Sequence, residues 1–237
     1  MIPVKNLIPL QELDLKIDAA NASIEEKKQK ILKMQKEIDS DLELVNKKKA
    51  LLKKIQLRKR AAENDLAAIN DEIKTSELKL KSAGLSPSSY AALEKELASK
   101  KKRQGDLETS ILEDMEKIEI LEKDTTKGEK VLAGRKKHLE EIKARVADEI
   151  KDLRKEIDLL KTEKQQISLK IDSEQLEMYE QLRNRKKGQV IYDTEVASCP
   201  ACGMGLPGSF VSAVSNHDEA EKCSYCDVLI HWTGQRD

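Results

Sequence analysis

From Leu10, steps of seven residues land on Ile17, Ile24, Ile31, Ile38, Val45, Leu52, Lys59, Leu66, Ile73 and Leu80, so Lys59 alone interrupts the apolar run. Companion positions three residues further on include Leu13, Ala20, Met34, Ile55, Ala62, Ile69 and Ala83. Apolar side chains spaced three and four apart form a stripe on a helix, and a stripe sustained over this length needs a partner helix along all of it. The pattern predicts a coiled coil rather than a strand or an ordinary bundle helix. Composition agrees. Charged residues make up 37% of the 237 and aromatic residues 3%, whereas a compact core of this size draws on more Phe, Tyr and Trp.

The seam stops at residues 82–89, Ser-Ala-Gly-Leu-Ser-Pro-Ser-Ser. Gly84 suits a left-handed C-terminal cap, Ser86 an N-cap and Pro87 a first helical position, so the chain is expected to turn back here. A second stripe runs through Leu93, Leu97, Leu107, Ile111, Ile118, Leu121, Leu132, Leu139, Ile142 and Val146. It steps by four to Ile150 and resumes at Leu153, Ile157, Leu160, Ile167 and Ile171, a stutter that relaxes the supercoil. Folded against the first, this helix makes an antiparallel hairpin on the order of 110 Å long at 1.5 Å per residue. With the turn near Leu85, the polar seam residues Asp41 and Lys48 fall opposite Thr125-Thr126-Lys127-Gly128. Gly128 and Gly134 each weaken a helix by about 1 kcal/mol relative to Ala. A bend or local unwinding over 124–134 is one expectation, and a merely solvated patch is the other.

The second stripe outlasts the first, reaching Leu176, Met178, Tyr179 and Leu182 before Arg183, Arg185, Lys186 and Lys187 end the helix and Gly188 follows as its stop. These surplus turns could pack on the C-terminal module, on Leu7 and Ile8, or on a second copy as a homodimer. Two domains follow: a hairpin over 1–187 and a small module over 188–237.

That module holds all four cysteines, as Cys199-Pro-Ala-Cys202 and Cys223-Ser-Tyr-Cys226. The C-x2-C-x20-C-x2-C spacing, among short β-rich pieces such as Val190-Ile-Tyr192 and Val228-Leu-Ile-His-Trp232, describes a zinc ribbon. Two intervening residues let both sulfurs of a tight turn face one tetrahedral ion while backbone amides point at the thiolates. Gly203 and Asp227 occupy equivalent places after the two pairs, where the turn needs a permissive backbone. A redox pair would need a thioredoxin-like βαβ unit, which the pattern lacks. The expectation is one structural zinc ion bound by Cys199, Cys202, Cys223 and Cys226, with His217 and His231 as lesser alternatives and Phe210 and Trp232 as the apolar floor. Overall the sequence predicts a mainly α fold, a long antiparallel coiled-coil hairpin with a small C-terminal β-containing zinc ribbon.

Charge divides the chain. The module sets Lys222 and Arg236 against Asp193, Glu195, Asp218, Glu219, Glu221, Asp227 and Asp237, and the four thiolates add negative charge, so it is a poor phosphate-binding surface. The basic stretches Lys47–Lys49, Lys53-Lys54 and Arg58–Arg60 fall opposite the acidic residues of 111–124, so interhelical pairing accounts for much of their charge. No stretch has the apolar length of a membrane span or the pattern of a secretory signal, so a cytoplasmic protein without membrane insertion is expected. There is no Gly-rich phosphate loop and no nucleophile–base pair, so an enzyme is not expected.

Tyr90-Ala-Ala-Leu93-Glu-Lys-Glu-Leu97 after the turn, Tyr179 to Lys187 before the ribbon, Cys199-Pro-Ala-Cys202-Gly-Met204-Gly-Leu206-Pro207, and Cys223-Ser-Tyr-Cys226 before a hydrophobic end carry a likeness over the whole chain. On these residues the sequence resembles the bacterial FlgZ-type family of coiled-coil hairpins with a zinc ribbon. The resemblance implies a binding protein, chaperone or regulator associated with flagellar or related type III secretion components and with the sigma factor RpoN. The chain has Asp227-Val228 where that family commonly has Gly-Arg, and so lacks that basic side chain. Two other readings stay open on the residues alone, a nucleic-acid (RNA) regulator and a structural oligomerising rod.

Overall fold

Helix-forming residues with one apolar stripe and well-placed stops give long helices here. The computed structural model describes residues 2–82, 86–213 and 219–233. A short strand β1 (Ile2–Pro3) leads into α1 (Leu7–Leu80), and α2 (Pro87–Ser168) returns along it. Then come α3 (Ser173–Lys186), β2 (Ile191–Thr194), α4 (Gly208–Ala213), β3 (Glu219–Lys222) and β4 (Leu229–Trp232). Ser86 and Pro87 play the parts read from the sequence: α2 begins at Pro87, and Ser86 Oγ accepts from the Ser89 amide at 3.2 Å. The proposed cap at Gly84 lies outside the described residues.

The chain divides into two compact units, Leu32–Glu141 and Met1–Ile31 with Ile142–Asp237. In the first, Ile38, Val45, Ile55, Ile69 and Ile73 of α1 and Ile111, Leu132 and Leu139 of α2 are buried, each contributing roughly 1.5–3 kcal/mol by leaving water. Polar pairs cross between the helices at intervals. Arg58 Nε donates to Asp114 at 2.7 Å, and its guanidinium holds that fully buried carboxyl below the usual aspartate range. Gln104 donates to Asn70 at 2.9 Å and Lys100 to Ser76 at 3.2 Å. Such layers fix which residues face each other, because a slipped register would bury Asp114 without its partner.

Asp41 and Lys48, expected opposite residues 125–128, pair just outside those bounds: Lys48 with Asp124 at 2.7 Å and Asp41 with Arg135. The unwinding considered there is not, because α2 is helical throughout Pro87–Ser168. Gly128 has a packing role instead, since a Cβ on it would lie 3.0 Å from Val45 Cγ2. The glycine that looked like a weak point makes room for the Val45 side chain.

In the other unit, Ile17, Ala20 and Ile24 pack with Ile157, Ile150, Leu153 and Leu160. The long second helix expected from the apolar stripe is broken. Ser168 ends α2, Lys170 and Ile171 donate back to Ile167 and Ser168 in a turn, and Asp172 restarts the chain as the N-cap of α3, accepting from Glu174. The left-handed residue that closes α3 is Lys187 (φ 56°), one residue before Gly188, with its amide donating to Arg183 at 2.7 Å. The break lets Tyr179 and Leu182 reach Val4, Leu7 and Leu10, together with Val190, Ile191, Ala220 and Leu229 of the C-terminal sheet. The surplus apolar residues therefore pack within the chain, on Leu7, on Ile8 and on the module.

The sheet has the order β1-β3-β4-β2, with β1–β3 and β3–β4 antiparallel and β2–β4 parallel. Ile2 and Pro3, opposite Ala220 and Glu219, make the N-terminus part of this sheet. Among the described residues no helix is long and apolar enough to cross a membrane.

Candidate metal centre

Two turns of the same design bring the cysteines together. In the first, the Gly203 amide donates to Cys199 O at 2.8 Å and the Cys199 amide to Met204 O at 2.8 Å. In the second, the Asp227 amide donates to Cys223 O at 2.9 Å and the Cys223 amide to Val228 O at 2.8 Å. Each turn needs a left-handed residue after its second cysteine: Gly203 has φ 74° and Asp227 φ 62°. Glycine enters that region freely, and Asp is among the few side chains that tolerate it. Arg185 of α3 lies 3.8 Å from the Asp227 carboxylate.

The four Sγ atoms lie within 4.8 Å of one another, with Cys199–Cys226 at 3.7 Å and Cys202–Cys223 at 3.9 Å. Four sulfurs at about 2.3 Å from a tetrahedral ion would be separated by about 3.8 Å, so the set has the dimensions of a metal site. Amides of Ala201 and Cys202 donate to the Cys199 sulfur, those of Tyr225 and Cys226 to Cys223, and that of Val228 to Cys226. Burial pushes the Cys199 thiol up and the Cys226 thiol up to about 12. Burial also opposes ionisation of Cys223, but there the amides of Tyr225 and Cys226 prevail and favour the thiolate. At Cys199 and Cys226 a divalent ion would therefore displace protons as it binds.

The cluster rests on Leu206, Phe210, Val228 and Ile230, with Tyr192 and Trp232 at its margin. Of the two residues expected in the floor, Phe210 lies in it, on the short helix α4, and Trp232 packs against its edge. His231 is not gathered with the sulfurs. It lies on β4 with Nδ1 2.7 Å from the Asp193 carboxylate, while its neighbour Ile230 points at the cluster. His217 is outside the described residues.

Two side chains that the sequence did not single out attach this module to α1. Gln11 Nε2 donates to Ile191 O at 2.8 Å, and its Oε1 accepts from the amides of Val190 at 2.8 Å and Ile191 at 2.7 Å. Asp14, buried, accepts from Lys164 at 2.8 Å, Arg183 at 2.9 Å and the Tyr179 hydroxyl at 3.0 Å. Burial, and after it the Asp14 charge, keep the Tyr179 phenol protonated well above the ordinary tyrosine range.

Known proteins share this fold. CT398 from Chlamydia trachomatis is 22% identical over 97% of each chain, with a TM-score of 0.83. HP0958 from Helicobacter pylori CCUG 17874 is 19% identical over 99% of this chain and 100% of its own, with a TM-score of 0.71. A protein from Mycobacterium smegmatis is 18% identical over 94% of this chain and 97% of its own, with a TM-score of 0.52. At these identities the likeness is one of fold. No curated protein matches the chain. Residues 10–187 match the CT398-like coiled coil hairpin domain, which places the chain in that family.

Proposed function

We propose that the chain is a non-enzymatic protein-interaction factor of the cytoplasm, whose ribbon is held by one structural zinc ion on Cys199, Cys202, Cys223 and Cys226. The observation that carries this is the closed set of four sulfurs at tetrahedral spacing. Four protein thiolates leave no coordination position for a substrate, so the ion's work is to hold two turns in place. Those turns and the approach to them expose Val196, Met204 and Tyr225, apolar side chains of the kind that anchor protein contacts. The resemblance to FlgZ-type proteins suggests RpoN or type III secretion components as the partners.

Metal analysis of the purified protein tests the first half: one zinc per chain is expected, and a stable metal-free fold or a different resident ion refutes it. Calorimetric titration with purified RpoN tests the second. Saturable binding that is lost in Met204→Asp/Tyr225→Asp supports the reading. The partner assignment fails if neither RpoN nor flagellar export proteins bind the zinc-loaded chain.

A further inference from the structure

Within the unit Leu32–Glu141, one side of the helix pair departs from the rule that seam flanks are charged. Leu44 is 56% exposed, Leu51 47% and Val131 50%. Leu44 and Leu51 stand one heptad apart on α1, beside the seam residues Val45 and Leu52. Leu44 and Val131 line a groove of about 290 Å³ over the buried Val45 and Leu132, at the level where Gly128 packs on Val45. Ile120, also exposed, lies on α2 eleven residues before Val131.

The charges around this strip are unequal once internal pairs are made. Asp41 is paired with Arg135, Asp124 with Lys48, Glu43 with Lys47 and Glu119 with Lys123. Lys54, one turn from Leu51, and Lys127, which lines the groove, have no ion pair among the described residues, and neither has Lys130 beyond them. An apolar strip thus remains between the two helices, with Lys54 and Lys127 on its rim; Lys127 also acts on the Asp124 carboxylate, which Lys48 pairs.

We propose that this strip is a docking groove for an amphipathic helix of a partner protein, with apolar side chains spaced by three, four and seven residues and acidic residues on its flanks. A third helix laid along the strip would cover Leu44, Leu51 and Val131 and bring carboxylates to Lys54 and Lys127. A second copy of this face is a poor occupant, because a two-fold contact sets the same patch against itself and the unpaired lysines would crowd one another. The inference rests on the reading of the chain as an interaction factor, but it needs neither the ribbon nor RpoN.

The test uses the full-length zinc-loaded protein and a labelled synthetic amphipathic helix with Leu at the first and fourth heptad positions and Glu flanking them, followed by fluorescence anisotropy. Saturable binding is expected, at least tenfold weaker in Leu44→Glu and in Val131→Glu, several-fold weaker in Lys54→Glu/Lys127→Glu, and reduced by added salt. A peptide with Lys in place of each Glu should not bind, and Met204→Asp/Tyr225→Asp should bind the probe as the parent does. The substituted positions are exposed, and unchanged helical circular dichroism checks each fold. No binding, equal binding of the Lys peptide, or groove variants that bind normally would overturn the proposal. So would a concentration-dependent dimer in sedimentation that Leu44→Glu abolishes, which would assign the strip to a second copy. Because the probe is not RpoN, loss of the RpoN assignment and loss of this groove are separate outcomes.

Discussion

The two faces of the C-terminal sheet are built from alternate residues of the same strands but closed by different means. Ile191, Ala220 and Leu229 turn to the helical side, where Leu7, Leu10, Tyr179 and Leu182 complete an apolar core. Tyr192, Ile230 and Trp232 turn to the sulfurs, where the core is thin and includes the ligands themselves. One face is closed by burial, which the chain supplies alone; the other presents four sulfurs with the dimensions of a metal site. Strand alternation therefore sets a candidate metal layer back to back with an apolar one, and under the zinc reading the first alone depends on the ion.

Removing the ion is the largest blow to that contrast. Chelation, or Cys223→Ser/Cys226→Ser, should abolish a contribution on the order of 10 kcal/mol to the ribbon. Amide exchange should show protection lost at 199–206 and 223–228, while helical circular dichroism persists. Equal loss in α1 would break the comparison. Since the Cys199 and Cys226 thiols are pushed up, zinc uptake must release protons, and competition with a chelator should show affinity falling as pH falls. On the opposite face, Leu182→Ala should cost about 3 kcal/mol in denaturant unfolding of the zinc-loaded protein without altering zinc stoichiometry.

A smaller loss, about 2 kcal/mol, is expected for Gln11→Ala, which leaves the amides of Val190 and Ile191 without their partner and the Ile191 carbonyl with Gln189 alone. Exchange at Val190 and Ile191 should rise first. In the unit Leu32–Glu141, Gly134→Ala, with open space at its Cβ, should gain about 1 kcal/mol in thermal unfolding. Gly128→Ala should not, because its Cβ would crowd Val45, and pairing it with Val45→Ala should restore part of the gain.

Much of this was legible beforehand because repeated or chemically specific patterns carry it. The heptads from Leu10 to Leu80, the stop at 82–89 and the two cysteine pairs each follow from a rule that depends on local sequence. What escaped depends on single contacts between distant segments. Ile2-Pro3 is too short a strand to show alternation, and Glu219–Lys222 reads as a solvated loop until β4 is laid beside it. The break before α3 was hidden because the apolar stripe runs through it, although Asp172-Ser-Glu-Gln175 has the form of a helix start. Gln11 and Asp14 look like any polar residues beside a seam. Their importance appears when Ile191 and Tyr179 arrive from more than 160 positions away.

The attachment of Gln11 also bears on how the sheet meets other molecules. β2 is an edge strand, and the outward-facing amide and carbonyl of Ile191, which could template an incoming chain, are already occupied by the Gln11 carboxamide. The opposite edge, β1, is two residues long and includes Pro3, which has no amide hydrogen to offer. With both margins blunted, the sheet resists growth by strand addition. Neighbouring copies are discouraged from zipping edge to edge, and a molecule approaching this sheet meets side chains rather than free main-chain groups.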